Sequence, residues 1–258
     1  MNKEHNQFIL KTLDGLKTES INENLLAPRG FDIDGISDKE EQCVLVMGLN
    51  PAGNKKDADR EKDFSRTYFY SLSENSTIKS EWLYNKYFRP IYNFVNACLK
   101  DDQYASAKWP WCNKPWKVIE KEVRTFEDLC PPAELESFYQ KHQNSKCTIY
   151  IGDMFYYHVT NSKELPLIAG KESFSYKKYC DEMLALHIKE LERHNKKVRF
   201  VYINNAQVSH WLTNGMHKTF DTLPGTAIKV FYGGMLSGMR SMDMFSLERL
   251  VQEVRREI

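Results

Sequence analysis

Four short apolar runs limit the folds open to this chain of 258 residues more than any other feature. They are CVLVMGL at 43–49, CTIYIG at 147–152, VRFVYI at 198–203 and IKVFYG at 228–233. Each places apolar side chains on both faces of a strand, so each must be covered from both sides. Segments of helical periodicity follow them. Ser175 to His194 carries Tyr179, Met183, Leu186 and Leu191, Ala206 to Leu212 starts a second helix, and Phe245 to Val254 is amphipathic. Strands alternating with helices predict an α/β fold, a three-layer sandwich around a central four-stranded parallel sheet. The whole chain, 1–258, reads as one domain built on that sheet.

The first half is less regular. Phe8, Ile9, Leu13 and Leu16 predict a short amphipathic helix over 4–18. Residues 52–77 are polar, charged and aromatic, and predict a long loop of functional character. EWLYNKYFRPIYNFVNACLK, Glu81 to Lys100, has a helical pattern that should break or kink near Pro90. With the WPWCNKPW cluster at 109–116, residues 78–146 read as a mostly helical, aromatic-rich insertion packed on the main domain.

Composition excludes some classes and leaves others open. The six cysteines form no Cys-x-x-Cys pair, so neither a zinc site nor an iron–sulfur cluster is expected. They read as buried thiols in a reducing compartment. No stretch reaches the roughly 18 apolar residues of a membrane span, and the first residues lack the apolar centre of a signal peptide. A cytoplasmic, monomeric protein without a cofactor is the expectation. The net charge of +1 does not decide for or against nucleic acid, since a basic patch can sit on a neutral protein. Fourteen Tyr, 14 Phe and 5 Trp exceed what packing needs and suggest a stacking surface or an aromatic groove. No Gly-x-Gly-x-x-Gly and no Gly-Lys-Ser/Thr occurs, which argues against a flavodoxin-like binder of phosphorylated small molecules.

The informative residues stand where the apolar runs stop. The first ends in Gly48-Leu49-Asn50-Pro51-Ala52-Gly53, the second in Gly152-Asp153 with His158 beyond. The third ends in Asn204-Asn205-Ala206-Gln207, the fourth in Gly233-Gly234 followed by Ser237-Gly238-Met239-Arg240. In a parallel sheet all four ends open on one edge, where such folds hold their ligands.

Taken together these ends resemble the uracil-DNA glycosylase superfamily, and most nearly its mismatch-specific uracil/thymine branch. The stretch Gly48-Leu49-Asn50-Pro51 is similar to that branch's Gly-Ile-Asn-Pro-Gly loop. The resemblance implies that Asn50 positions a water against the sugar C1′ and that backbone N–H groups near Gly48 and Leu49 stabilise the departing base. It implies that Phe64, or one of Tyr68, Phe69 and Tyr70, stacks on a flipped base, and that Asp153 stands where the family keeps a base-reading Asn. Ser237, Gly238, Met239 and Arg240 would supply a phosphate contact, a close backbone approach, a wedge and a basic anchor on DNA. The reaction implied is hydrolysis of an N-glycosidic bond of a damaged or mismatched base, swung out of the stack. Asn50 cannot titrate, so it can orient a water but not deprotonate it, and a slow enzyme is expected. Asp153 when ionised only accepts hydrogen bonds, and it suits an N–H-bearing base edge unless burial keeps it protonated.

Two departures stand out. No His or Asn precedes Ser237, and no Pro stands beside it. They favour a second reading, a non-catalytic member of the same fold that binds a nucleobase, a nucleotide or a nucleic-acid end. Plainer roles also fit single residues. Asp153 and Ser237 suit helix or turn caps, the loop aromatics and the Trp-Pro cluster suit packing, and His158 and His210 suit structural positions. Lys55, Lys56 and Arg60 form either a phosphate patch or a solvated charge run.

Overall fold

A computed structural model describes residues 39–49, 70–72, 88–99, 147–155, 175–236 and 244–258. The four apolar runs are strands, and their extents differ from the expectation by at most two residues at either end. They are β1 (Glu41–Gly48), β3 (Cys147–Asp153), β4 (Lys196–Asn204) and β6 (Lys229–Gly233). β1 lies between β3 and β4, β4 also pairs with β6, and all three pairings are parallel. The sheet is larger than four strands, however. Two three-residue strands, β2 (Tyr70–Leu72) and β5 (Phe220–Thr222), flank it antiparallel, giving six strands among the described residues in the order β2-β3-β1-β4-β6-β5. β2 also corrects the reading of 52–77 as loop throughout. Three residues are too few for a period of two to register, so neither edge strand has a signature of its own.

The helices follow their patterns: α1 (Phe88–Leu99), α2 (Tyr176–Arg193), α3 (Ala206–Leu212) and α4 (Met244–Glu257). Pro90 falls in the first turn of α1, where its missing N–H costs no intrahelical bond, and residues 81–87 of the expected pattern lie outside the described residues. Ser175 caps α2 by accepting from Lys178 N at 3.3 Å. Asn205 caps α3, its Oδ1 accepting from Gln207 N at 2.9 Å and Val208 N at 3.1 Å. The rest of the expected 78–146 insertion and the expected helix at 4–18 lie outside the described residues.

Strand periodicity divides the core between the two faces. Cys43, Leu45, Met47, Tyr150, Val201 and Ile203 point to one side, where Met183, Leu184, Ile188 and Leu191 of α2 and Val208 and Leu212 of α3 bury them. Tyr202 points to the other side and meets Phe94 of α1 with ring centroids 4.6 Å apart. α4 joins α1 there, and Arg255 Nε donates to Ala97 O at 2.8 Å. Helices therefore cover both faces, as doubly apolar strands require. In strand order β3 lies to one side of β1, and β4 and β6 to the other. α1 precedes β3 on one face, and α2 and α3 precede β4 and β6 on the opposite face, so crossovers in the two directions share one hand, as the rule of uniform crossover handedness requires.

The amino edge of the sheet is closed by a polar network. Lys196 is fully buried, and its Nζ donates to Lys39 O at 2.7 Å and pairs with Glu41 Oε1 at 3.1 Å. Tyr150 donates to the same oxygen at 2.7 Å. A buried lysine is tolerable only when paired and hydrogen-bonded in this way. Cys43, Cys98 and Cys180 are free and buried, and Cys147 is partly so. Burial holds the Cys147 thiol up at about 12, which makes it a poor nucleophile.

Candidate functional site

The order of the parallel strands decides where a ligand crevice can form. Because β1 has β3 on one side and β4 on the other, the connections diverge at its carboxyl end. Such a switch point is where open α/β sheets bind. Gly48 is the last residue of β1 and therefore sits there.

Register then identifies its neighbours. Gly48 pairs with Asp153, and Asn204 pairs with Gly233. Met47 pairs with Ile203, so Asn204 follows one step on beside Gly48. The edge reads Asp153, Gly48, Asn204, Gly233 across four strands. Paired residues share a face, and these four lie on the Tyr202 side, the side of α1. Gly233 is needed on that side, because a Cβ there would lie 2.1 Å from the Tyr202 hydroxyl. That hydroxyl donates to Gly234 O at 3.0 Å.

The edge is held rigidly from below and behind. Met154 N donates to Gly48 O at 3.1 Å and Phe155 N to Leu49 O at 2.9 Å, which extends the β1–β3 pairing past both strands. Tyr179 of α2 donates to Met154 O at 2.9 Å. Ser209 of α3 bridges both polar backbone groups of Gly233, donating to its O at 2.7 Å and accepting from its N at 3.1 Å. The Leu49 side chain turns into the core on the α2 side, so only its backbone remains for ligand contact.

Asp153 ends its strand partly exposed, yet its carboxyl is surrounded by protein. Burial raises its pKa from 3.8 to about 7, so near neutral pH it is divided between acid and carboxylate. The residue is the last of β3 and is followed by a bend at Met154 and Phe155.

Asn204 is the residue that the sequence reading placed at a strand end but gave no task. It is 1% exposed. Its Oδ1 accepts from Leu236 N at 2.7 Å, tying down the chain after β6. Its Nδ2 is buried with no partner among the described residues. The available signal was an amide closing an apolar run, which is too common a feature to single out by itself.

His187 of α2 also escaped the sequence reading, hidden in a helical pattern. It is fully buried, and its Nδ1 lies 2.7 Å from Met183 O, which only accepts, so Nδ1 carries the proton. Its ring fills the space over Gly152, where a Cβ would approach to 3.0 Å. His210 is exposed, and its ring lies against Gly215, in keeping with a structural position. Behind the edge, Tyr176 and Trp211 stack at 4.2 Å, and Phe155 stacks on Tyr179 at 4.7 Å. Part of the aromatic surplus is therefore packing.

Of the site residues expected from sequence, Gly48, Leu49 and Asp153 meet at one edge. Asn50, Phe64, Ser237, Gly238, Met239 and Arg240 lie outside the described residues, as do Tyr68, Phe69, His158, Lys55, Lys56 and Arg60. Tyr70 is described in backbone only, as the first residue of β2. Two surface grooves lie elsewhere. One of about 430 Å³ is at the amino edge near Lys196, and one of about 580 Å³ runs between α2 and the β5–β6 ribbon. Among the described residues no group of three or more His, Cys, Asp or Glu could hold a metal ion. Among them, too, no helix is long and apolar enough to cross a membrane. The chain matches no protein-family model, and none of the curated proteins matches it.

Proposed function

We propose that the chain is a DNA base-excision enzyme of the uracil-glycosylase type, acting on a damaged or mismatched base swung out of the helix. Water adds across the N-glycosidic bond, its hydroxyl going to C1′ and its proton to the departing base. Asn50, two residues beyond the switch-point Gly48, holds that water, and Phe64 or a neighbouring aromatic stacks on the base. Ser237, Gly238, Met239 and Arg240 hold the DNA strand. The observation that supports this reading best is the pair of polar side chains, Asp153 and Asn204, on either side of Gly48 at the switch point. A planar base is recognised by such groups along its hydrogen-bonding edge. Protonated Asp153 can donate to a carbonyl, which removes the repulsion that an ionised carboxylate would show to a uracil edge.

Single-turnover excision tests it, on oligonucleotides bearing uracil, hypoxanthine, xanthine or a thymine mismatch. Wild type should release at least one of these bases. Asn50→Ala should slow release by about one to three decades, the scale of losing one positioned polar group. DNA affinity should barely change, since phosphates dominate it. Binding of DNA or base without any release would favour the non-catalytic reading instead. A mutant as fast as wild type would make Asn50 a turn residue.

A further inference from the structure

We propose that Asn204 contacts the ligand directly, its side-chain NH2 donating to a carbonyl of a single-ring base that lies over Gly48 between Asn204 and Asp153. The inference rests on the reading of the carboxyl edge as a base site, and it extends that reading to a residue on the third parallel strand in chain order.

The hydrogen bond from Leu236 N fixes which end of the amide is which. An N–H donor at 2.7 Å requires the oxygen there, so the NH2 is the group left buried and unpartnered among the described residues. A donor buried without a partner loses its hydrogen bonds to water and gains none in exchange. Holding the chain after β6 does not explain that cost, because the clamp uses only Oδ1. A donor kept in reserve does fit a site built to reject ligands that lack the matching acceptor.

The geometry sets the size of the ligand. Asn204 and Asp153 are two strand spacings apart, about 9.6 Å, and share a face with no side chain on Gly48 between them. Side chains on a strand stand roughly perpendicular to the sheet, so their tips keep about that spacing, and two hydrogen bonds of about 2.9 Å each leave roughly 4 Å between their partners, room for one six-membered ring but not for two fused rings lengthwise. The class is a pyrimidine-type ring presenting a carbonyl to Asn204 and its other polar edge to Asp153.

The test compares wild type with Asn204→Asp at pH 9 on oligonucleotides carrying uracil, 2-thiouracil or 4-thiouracil. Sulfur is a poor acceptor, and at that pH a carboxyl raised by burial as far as that of Asp153 is ionised, so aspartate keeps the oxygen for Leu236 N while removing the donor. Wild type should prefer uracil over one of the two thio bases, and Asn204→Asp should reduce that preference by at least about tenfold. The comparison cancels intrinsic differences between leaving groups. As a measurement independent of the variant's folding, the Asn204 side-chain amide resonance of 15N-labelled wild type should shift on titration with free uracil. Unchanged selectivity in Asn204→Asp, or an amide resonance that uracil leaves unmoved, would overturn the inference while leaving the excision reading intact. Wild type that neither excises nor binds any base overturns both.

Discussion

At the scale of the residue, the contrast between Asp153 and Asn204 shows how far sequence can reach. Asp153 was recognisable as a site candidate because it is a carboxylate at the end of an apolar run. Its protonation was not, because that depends on how much protein surrounds it in three dimensions. Asn204 was legible only as a strand-end amide. Its orphaned NH2 exists because Leu236, 32 positions away, occupies the other half of the amide. The Asp153 pKa of about 7 makes a prediction with a definite sign. Below that pH the protonated carboxyl donates, and a carbonyl-bearing base edge is favoured. Above it the carboxylate only accepts, and an amino-bearing edge is favoured. Relative excision or binding of uracil against cytosine should therefore fall as pH rises from about 6 to about 8. Asp153→Asn carries donor and acceptor at every pH, so it should flatten the profile and shift preference towards uracil. A profile unchanged by the substitution would assign the titration to another group. The same shift destabilises the fold as pH rises. The unfolded chain releases this proton near 3.8 and the folded one near 7, so the stability it supplies is complete below about 4 and is lost as pH climbs through 7.

At the scale of the element, strands and helices with long, strong patterns were readable almost to the residue. The helix expected to start over Ala206 to Leu212 begins at Ala206, because Asn205 supplies the start signal, and it stops at Leu212, with Asn214 and Gly215 at positive φ following its end. β2 and β5 were not readable, since their edge positions are set by the partners β3 and β6 rather than by their own three residues. Asn205 matters beyond α3 itself. The helix it caps carries Ser209, whose hydroxyl holds both polar backbone groups of Gly233 at the candidate site. Replacing Asn205 by Ala removes the acceptor for two backbone N–H groups and should cost about 1 kcal/mol of stability. Chemical denaturation should show this as a lower midpoint with an unchanged slope. A midpoint equal to wild type would mean that water caps α3 as well as Asn205 does.

At the scale of the whole molecule, topology was the strongest inference available from sequence. Doubly apolar strands alternating with helices require a parallel sheet covered on both faces, and a parallel sheet brings its carboxyl ends to one edge. The strand order was not available, because nothing in a single chain says which strand lies beside which. Only the order found here puts Gly48 at the switch point with Asp153 and Asn204 on either side. Charge is the property least decided at this scale. A net charge of +1 gives no overall attraction to DNA, so any affinity must come from a local patch such as Lys55, Lys56 and Arg60. A patch acting on phosphates releases counterions and leaves a salt signature. With only three phosphates neutralised, raising salt from 50 to 200 mM should weaken DNA binding about 40-fold. Free uracil, held by Asp153 and Asn204 through short-range hydrogen bonds, should bind almost independently of salt over that range. Fluorescence anisotropy on a labelled oligonucleotide, set beside calorimetry on the free base, separates the two contributions. Oligonucleotide binding that ignores salt would remove the phosphate contacts from the reading. It would leave an edge that recognises the base alone, as the non-catalytic reading requires.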